Sequence, residues 1–389
     1  MLNKGLLILS VSVFLAAIWI IVPAPAYNIW LFSVAASEWS LWLGLVAVFI
    51  IAGVGVSIFK HAGKLWILSL IFAVATLLIS LYPFFSVKQL AREQNVALSF
   101  GEYFSGLTND AISSQDFTTR TFANVGGQDL QLDVYAPQVK NENNGASVVV
   151  IHGGSWNAGN RNDFPQWNQW LANNGFTVFD IDYRLAPQPN YLMATADVKC
   201  AIIWIKKHAT EFAVAPNRIA LFGRSAGAHL ALLAAYSNDD ARFSARCAED
   251  EFDEKVRAVV SFYAPVELFW AYNNPANELV INGKQKLGDF LGGNPNESNK
   301  IREVYDLATP TTHVSADTPP TFLVHGGKDQ LVREENMQFL NQKLTENAVA
   351  HQTIFISYAQ HGFDYNFHGF GSQIVKPALI EFLHNSTKH

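Results

Sequence analysis

Three stretches, residues 5–22, 41–59 and 65–85, contain no Asp, Glu, Lys or Arg, and they constrain this chain more than any other feature. Each comes close to the roughly 20 residues that a helix needs to cross about 30 Å of hydrocarbon. Inside a bilayer every backbone N–H and C=O must be paired within the protein, and a helix does this without neighbours. A helix of a soluble core keeps a polar face; these stretches have none, so they read as spanning helices. Gly44, Gly53 and Gly55 in the second stretch suit close helix contact. Residues 1–87 are thus expected to form a membrane region, with the lipid bilayer as a partner, followed by a juxtamembrane helix and linker over 88–116 and a further domain over 117–389.

The short loops set an expected orientation. Lys4 precedes the first stretch and Lys60 and Lys64 follow the second, while residues 23–40 hold no Lys or Arg. The positive-inside rule keeps those lysines in the cytoplasm and sends everything after residue 85 to the non-cytoplasmic side of a plasma or inner membrane, although Lys88 and Arg92 oppose it. Lys4, an apolar core and Ala24-Pro-Ala26 also match a secretory signal; cleavage after Ala26 would leave two spans and the same outer domain. The formal charge of residues 1–87 is +2 and that of the whole chain −6, so the remainder carries −6 − 2 = −8. An acidic outer domain argues against a nucleic-acid partner. Cys200 and Cys247, too few for a disulfide framework or a metal site, either pair or stay reduced.

Residues 91–98 are helix-like and 105–114 polar, which suits a membrane-proximal helix and linker, or alternatively a cover over a site. Beyond them strand and helix signals alternate. Residues 117–125 and 129–135 bracket Gly126-Gly127 with alternating apolar and polar residues, an edge hairpin. Continuous apolar runs at 147–151, 176–181, 219–222, 256–262, 321–324 and 353–357 have the pattern of buried parallel strands. Helix-like stretches at 166–172, 194–208, 226–236, 334–345 and 373–383 separate them. The expected fold class is α/β, a mostly parallel sheet covered on both faces, preceded by an all-α membrane region. The Pro-, Gly- and aromatic-rich stretch 264–313 is expected to lie over the carboxyl edge of the sheet as a lid.

In Leu221-Phe-Gly-Arg-Ser-Ala-Gly-Ala-His-Leu230 a strand must turn sharply into a helix at Gly223-Arg-Ser225-Ala-Gly227. A serine held in such a turn projects its hydroxyl at a helix N-terminus, where free N–H groups favour an anion. A serine nucleophile needs a base, the base an orienting carboxylate, and the developing oxyanion N–H donors. In an open α/β sheet these come from loops at the carboxyl ends of strands. Val150-Ile-His-Gly-Gly-Ser-Trp156 nominates the amides of Gly153, Gly154 and Ser155, with that of Ala226 from the elbow. Phe322-Leu-Val-His-Gly-Gly-Lys-Asp329 nominates Asp329, and His361, just past the last strand, is the candidate base with His368 as its alternative. His152, His229 and His325 are expected to hold loops. Trp156, Phe262, Tyr263 and Trp270 are candidate pocket walls. There is no H-E-x-x-H or clustered Cys/His pattern, so no metal is expected.

His152-Gly-Gly-Ser-Trp156, Asp182-Tyr-Arg-Leu-Ala-Pro187, Gly223-Arg-Ser-Ala-Gly-Ala-His-Leu230, His325-Gly-Gly-Lys-Asp329 and His361-Gly-Phe-Asp364, in that order, resemble the α/β-hydrolase superfamily, in particular its hormone-sensitive-lipase-like and carboxylesterase branch. The resemblance covers about residues 117–389. It implies a Ser225, Asp329, His361 triad, an oxyanion hole of backbone amides, and hydrolysis of small or medium carboxylic esters without a cofactor. Ser155 stands where the lipase-like branch usually has a third glycine, Arg224 where it has an acid and Ala228 where it has glycine. Arg224 and Ala228 shift the resemblance towards isoprenylcysteine-methylesterase-like and formamidase-like relatives, which bears on the substrate. An amidase or peptidase of the same fold, and a non-catalytic adhesion or scaffold protein, are the other readings. Oligomeric state is not legible.

Overall fold

The computed structural model describes residues 2–59, 64–106, 117–139, 145–186, 190–238, 240–247 and 252–388. Lys60, most of the polar linker and Pro187 fall outside the described residues.

The chain opens with five helices, α1 (Leu2–Ala17), α2 (Tyr27–Glu38), α3 (Ser40–Phe59), α4 (Leu65–Glu93) and α5 (Phe100–Ser105). Three apolar segments, Asn3–Ile20, Ser40–Phe59 and Leu65–Glu93, are long and apolar enough to cross a membrane. They pack on one another: Phe14 lies 5.2 Å from Phe72 between ring centroids, and the absence of a side chain at Gly53 admits Leu6. Two sequence expectations change here. The juxtamembrane helix is no separate element, because α4 runs on through Pro83 to Glu93. Its last turns leave the apolar bundle and bury Val87 and Ala91 against the following domain. Residues 23–40, read only as a loop, contain α2.

Next come β1 (Thr118–Val125), β2 (Gln128–Tyr135), β3 (Ser147–Ile151), α6 (Pro165–Asn173), β4 (Thr177–Ile181), α7 (Tyr191–Lys207), β5 (Ile219–Arg224), α8 (Ala226–Tyr236) and β6 (Ala258–Phe262). The stretch between β6 and β7 folds as α9 (Leu268–Asn273), α10 (Gly283–Leu291) and α11 (Asn299–Leu307), and the chain ends with β7 (Thr321–Gly326), α12 (Glu335–Glu346), β8 (His351–Ile356) and α13 (Phe370–Ser386). The eight strands form one sheet in the order β1-β2-β4-β3-β5-β6-β7-β8, antiparallel at β1–β2 and β2–β4 and parallel elsewhere.

Alternate residues of each strand face opposite sides, and both sides are apolar. Val149, Ile151, Leu221 and Val259 pack with α7, α8 and α12 residues such as Ile202, Leu230 and Leu340. Val148, Val150, Phe222 and Val260 pack with Trp167 of α6, Leu379 of α13 and the end of α4. This two-sided burial explains why the central strands read as unbroken apolar runs. Cys200 and Cys247, left open by the sequence, are joined as a disulfide.

Candidate active site

The carboxyl ends of the parallel strands lie level, with Ile151 paired to Gly223, Gly223 to Ser261, Phe262 to Val324 and Gly326 to Ile356. The loops leaving them therefore meet on one edge. Ser225, between β5 and α8, has φ 52° and ψ −121°, a strained backbone for a residue with a side chain. Its amide donates to Phe262 O at 2.9 Å, tying the turn to β6, and its carbonyl accepts from His229 N–H at 3.0 Å as the first bond of α8. Gly227 is required by close approach, since a Cβ there would overlap the carbonyl oxygens of Ile151 and His152.

The loop after β3 comes up against the serine: a side chain at Gly153 would stand 3.3 Å from Ser225 Cβ. Gly154 has φ +112°, and its carbonyl accepts from the amides of Asn157 (3.1 Å) and Ala158 (3.0 Å). The Gly153 carbonyl is engaged by His152 Nδ1 (2.7 Å) and the Tyr183 hydroxyl (3.4 Å). In a trans peptide the N–H points away from the preceding C=O. Anchoring these carbonyls thus turns the amides of Gly154 and Ser155 the opposite way, and the Ser225 carbonyl does the same for Ala226. Gly153, Gly154, Ser155 and Ala226 all line the space around Ser225.

His361 shares that space with Ser225. Its Nδ1 lies 2.6 Å from Asp329 Oδ2, while Asp329 Oδ1 accepts from the amides of Leu331 (2.8 Å) and Val332 (2.9 Å). His325 Nε2 donates to Val332 O at 2.9 Å and stands 3.4 Å from Asp329 Oδ2; burial holds its imidazole below the usual histidine range. His368, the alternative base, faces Glu102 instead, at 3.6 Å. His152 stacks on Tyr183 at 4.3 Å, and His229 joins the Trp156 indole to Ala308 O. Among the described residues no group of His, Cys, Asp and Glu is arranged to hold a metal ion.

Two arms open from Ser225. A small one of about 70 Å³ runs between Trp156, Pro265, Leu287 and Val332, and a larger one of about 530 Å³ runs past Gly153, His361 and Tyr365. Of the four candidate wall residues, Trp156 lines the small arm and Tyr263 the large one. The other two are corrected. Phe262 points from β6 into the core against Trp167 and Phe222, and Trp270 packs edge-on to Phe339 at 5.0 Å. From the segment 264–313, Pro265, Ala271, Asn274, Ile281 and Leu287 line the small arm.

Sequence reasoning missed two parts of the site. Arg224 Nε lies 2.5 Å from Asp364 Oδ2, and the Tyr263 hydroxyl donates to Asp364 Oδ1 at 2.6 Å. The guanidinium sits 4.0 Å from the Phe164 ring centroid and 4.3 Å from that of Phe222, and the Tyr263 ring lies 4.3 Å from that of His361. The signal was present in the unusual Arg224 and in Asp364 of His361-Gly-Phe-Asp364, but their pairing was not. The second is Tyr27 and Trp30 of α2, which line the large arm; of residues 88–116, the expected alternative cover, 107–116 lie outside the described residues, and Phe100 and Tyr103 pack on Phe370 of α13.

An eight-stranded, mostly parallel sheet with a strained serine at the β5–α8 turn defines the α/β-hydrolase fold, and the chain fits its hormone-sensitive-lipase-like branch. The BD-FAE family model matches residues 132–344, more than half of the chain, and the chain belongs to that family. It is 32% identical over 221 residues to a probable carboxylic ester hydrolase, LipM, of Mycobacterium tuberculosis, covering 56% of this chain and 49% of the relative. It is 29% identical over 224 residues to the esterase LipC of the same organism, covering 56% and 53%. The chain thus spans about half the length of these curated relatives. A solved thermophilic esterase from Thermogutta terrifontis has a similar fold, with TM-score 0.54 and 24% identity over 69% of this chain and 93% of that one.

Proposed function

We propose that this protein is a membrane-anchored serine esterase that hydrolyses small or medium carboxylic esters outside the cytoplasm. One observation carries the reading: a strained serine shares a cavity with a histidine whose far nitrogen is held 2.6 Å from a buried carboxylate. Ser225 Oγ attacks the ester carbonyl while His361 takes its proton. Asp329 accepts from His361 Nδ1–H, which fixes the tautomer that leaves Nε2 free as a base and stabilises the imidazolium that forms. The amides of Ala226 and of Gly154 and Ser155 receive the oxyanion, each worth roughly 3 kcal/mol in the transition state. The C–O bond to the alcohol breaks, His361 returns the proton to the departing alkoxide, and water then releases the acid from the acyl-serine by the same proton relay.

The names of the relatives support the ester class. Helices of spanning length at the front of the chain support the anchor. The lysine distribution, together with a disulfide, a bond that persists in oxidising compartments, supports the outer location. The test is labelling by a fluorophosphonate together with turnover of p-nitrophenyl acetate and butyrate by the solubilised protein. Both are expected in the wild type and absent in Ser225→Ala; unchanged turnover in that variant ends the assignment.

A further inference from the structure

The large arm of the cavity is built partly by the segment that joins the first two apolar helices. Tyr27 and Trp30 of α2 stand on its wall with Gly153, Ser225 and His361. This is a seated element. The Ala24 amide donates to Gln330 Oε1 (2.7 Å), Asn277 Nδ2 donates to Ala24 O (2.7 Å), and Gln360 Nε2 donates to Ser33 Oγ (2.9 Å). Trp30 itself packs with Val34, Val280 and Leu331. It is 6% exposed, yet its indole N–H is buried with no acceptor among the described residues.

The chemistry decides which part of an ester occupies which arm. The proton taken from Ser225 must be delivered to the oxygen of the departing alcohol, so that alcohol lies on the side of His361. His361 lines the large arm, whereas the small arm is walled by Trp156, Pro265, Leu287 and Val332. The acyl group therefore takes the small arm and the alcohol the large one. Asp163, Asn157 and Lys286 give the large arm polar groups for an oxygen-rich alcohol. The elements that supply its wall are apolar outward: Val22, Tyr27, Leu31 and Phe32 on the inter-helix segment and Leu279, next to Val280 of the wall, are exposed large hydrophobics. This segment joins α1 to α3, and aromatic residues beside spanning helices mark a membrane interface.

Resting on the esterase reading above, we propose that the substrate is a short-chain acyl ester carried on the head group of an amphiphilic alcohol resident in the bilayer. α2 is its recognition element, with Tyr27 and Trp30 walling the head-group site. The small arm sets the acyl length, and the apolar tail of the alcohol stays in the lipid beside Leu31 and Phe32.

The test uses the full-length protein in phosphatidylcholine nanodiscs. Four probes separate the arms: p-nitrophenyl acetate, p-nitrophenyl dodecanoate, 6-O-acetylglucose and 6-O-acetyl hexadecyl glucoside. The wild type is expected to lose about tenfold or more in kcat/KM from acetate to dodecanoate, and to gain about tenfold or more from acetylglucose to its hexadecyl glycoside. Trp30→Ala and, separately, Tyr27→Ala are expected to lower kcat/KM for both glucose esters about tenfold while changing the acetate-to-dodecanoate ratio by less than about threefold, and Trp30→Phe is expected to restore turnover of the glucose esters in part. Equal or better turnover of dodecanoate, no preference for the hexadecyl glycoside, or an equal loss on all four probes in both alanine variants overturns the proposal. If the turnover is Ser225-dependent and only these preferences fail, the esterase reading survives; turnover that persists in Ser225→Ala removes both.

Discussion

Two carboxylates flank His361, and they differ in what neutralises them. Asp329 takes the imidazole N–H, two backbone amides and the more distant His325, and no Lys or Arg pairs with it among the described residues. Asp364, equally buried, is matched by a permanent cation, Arg224, and by the Tyr263 hydroxyl. A carboxylate whose charge is already cancelled by a guanidinium has little left with which to stabilise an imidazolium, whereas one held only by neutral dipoles keeps that capacity. Asp364 works on the site indirectly. It fixes Tyr263, whose ring packs on His361, and it anchors the residue before the nucleophile.

The largest expected effects would break this contrast. Asp329→Asn should lower kcat for p-nitrophenyl butyrate about 10⁴-fold, because the amide presents a donor to His361 and favours the wrong tautomer. Its melting temperature should change little, since Oδ1 can still accept from Leu331 and Val332. Asp364→Asn should do the reverse. It strands a buried guanidinium, at a cost of about 3–5 kcal/mol in urea unfolding, while the protein that remains folded keeps most of its activity. Adding Arg224→Met to Asp364→Asn should recover most of that stability, because no unpaired charge is left. Comparable losses of activity from Asp329→Asn and Asp364→Asn would end the division of roles.

Much of this architecture was legible in the sequence because two-sided burial writes itself as continuous apolar runs, and because the chemistry follows the ends of those runs. Ile151, Phe222 and Val324 each precede a glycine-containing turn that carries a candidate group, and His361 follows the last strand at the same edge. Direction within a strand was harder to read. Phe262 and Tyr263 are neighbours of similar size, yet the first faces the core and the second, at φ 45°, turns to the cavity. The docking of α2 left no local trace. Ser33 and Glu38 meet Gln360, Tyr358 and Asn366 more than 300 positions away, and a segment without Lys or Arg looked like a plain loop. The third apolar run seemed to stop at residue 85 because composition changes there, although the helix merely exchanges an apolar surround for the protein core at Val87 and Ala91.

His229 sharpens the same contrast at intermediate size, as a buried base kept neutral rather than paired. Its Nε2–H donates to Ala308 O at 2.8 Å, its Nδ1 accepts from the Trp156 indole at 3.2 Å, and burial pushes its pKa down to about 4. The unfolded chain therefore binds a proton between about pH 6.5 and 4 that the folded one refuses, so stability falls as pH falls through that window and levels off below it. The expected loss is about 3 kcal/mol from this group, and His152 and His325, also held low by burial, act in the same direction. Urea unfolding from pH 7 to 4 should show this loss, and His229→Gln, less stable at pH 7, should show a shallower slope. An unchanged slope would remove His229 from the account.

The smallest expected effect belongs to a third buried carboxyl, Glu38 on α2, which has neither the dipoles of Asp329 nor the cation of Asp364. Its Oε2 accepts from the Tyr358 hydroxyl at 3.2 Å, its Oε1 is buried without a partner among the described residues, and burial holds its pKa well above the usual carboxylate range. Burial of this kind favours the neutral acid over the carboxylate. The folded protein keeps a proton that an unfolded glutamate has lost, so this group lowers stability as pH rises above the ordinary glutamate value, until the raised folded value is reached. Glu38→Gln has the same shape and no charge to lose. At about pH 5 it should match the wild type within about 0.5 kcal/mol, and at about pH 8 it should be equally or more stable. A variant clearly less stable at the higher pH would mean that Glu38 is ionised and matched by a donor, as Asp329 is. Burial without a cation would then not decide the state of a carboxyl in this fold.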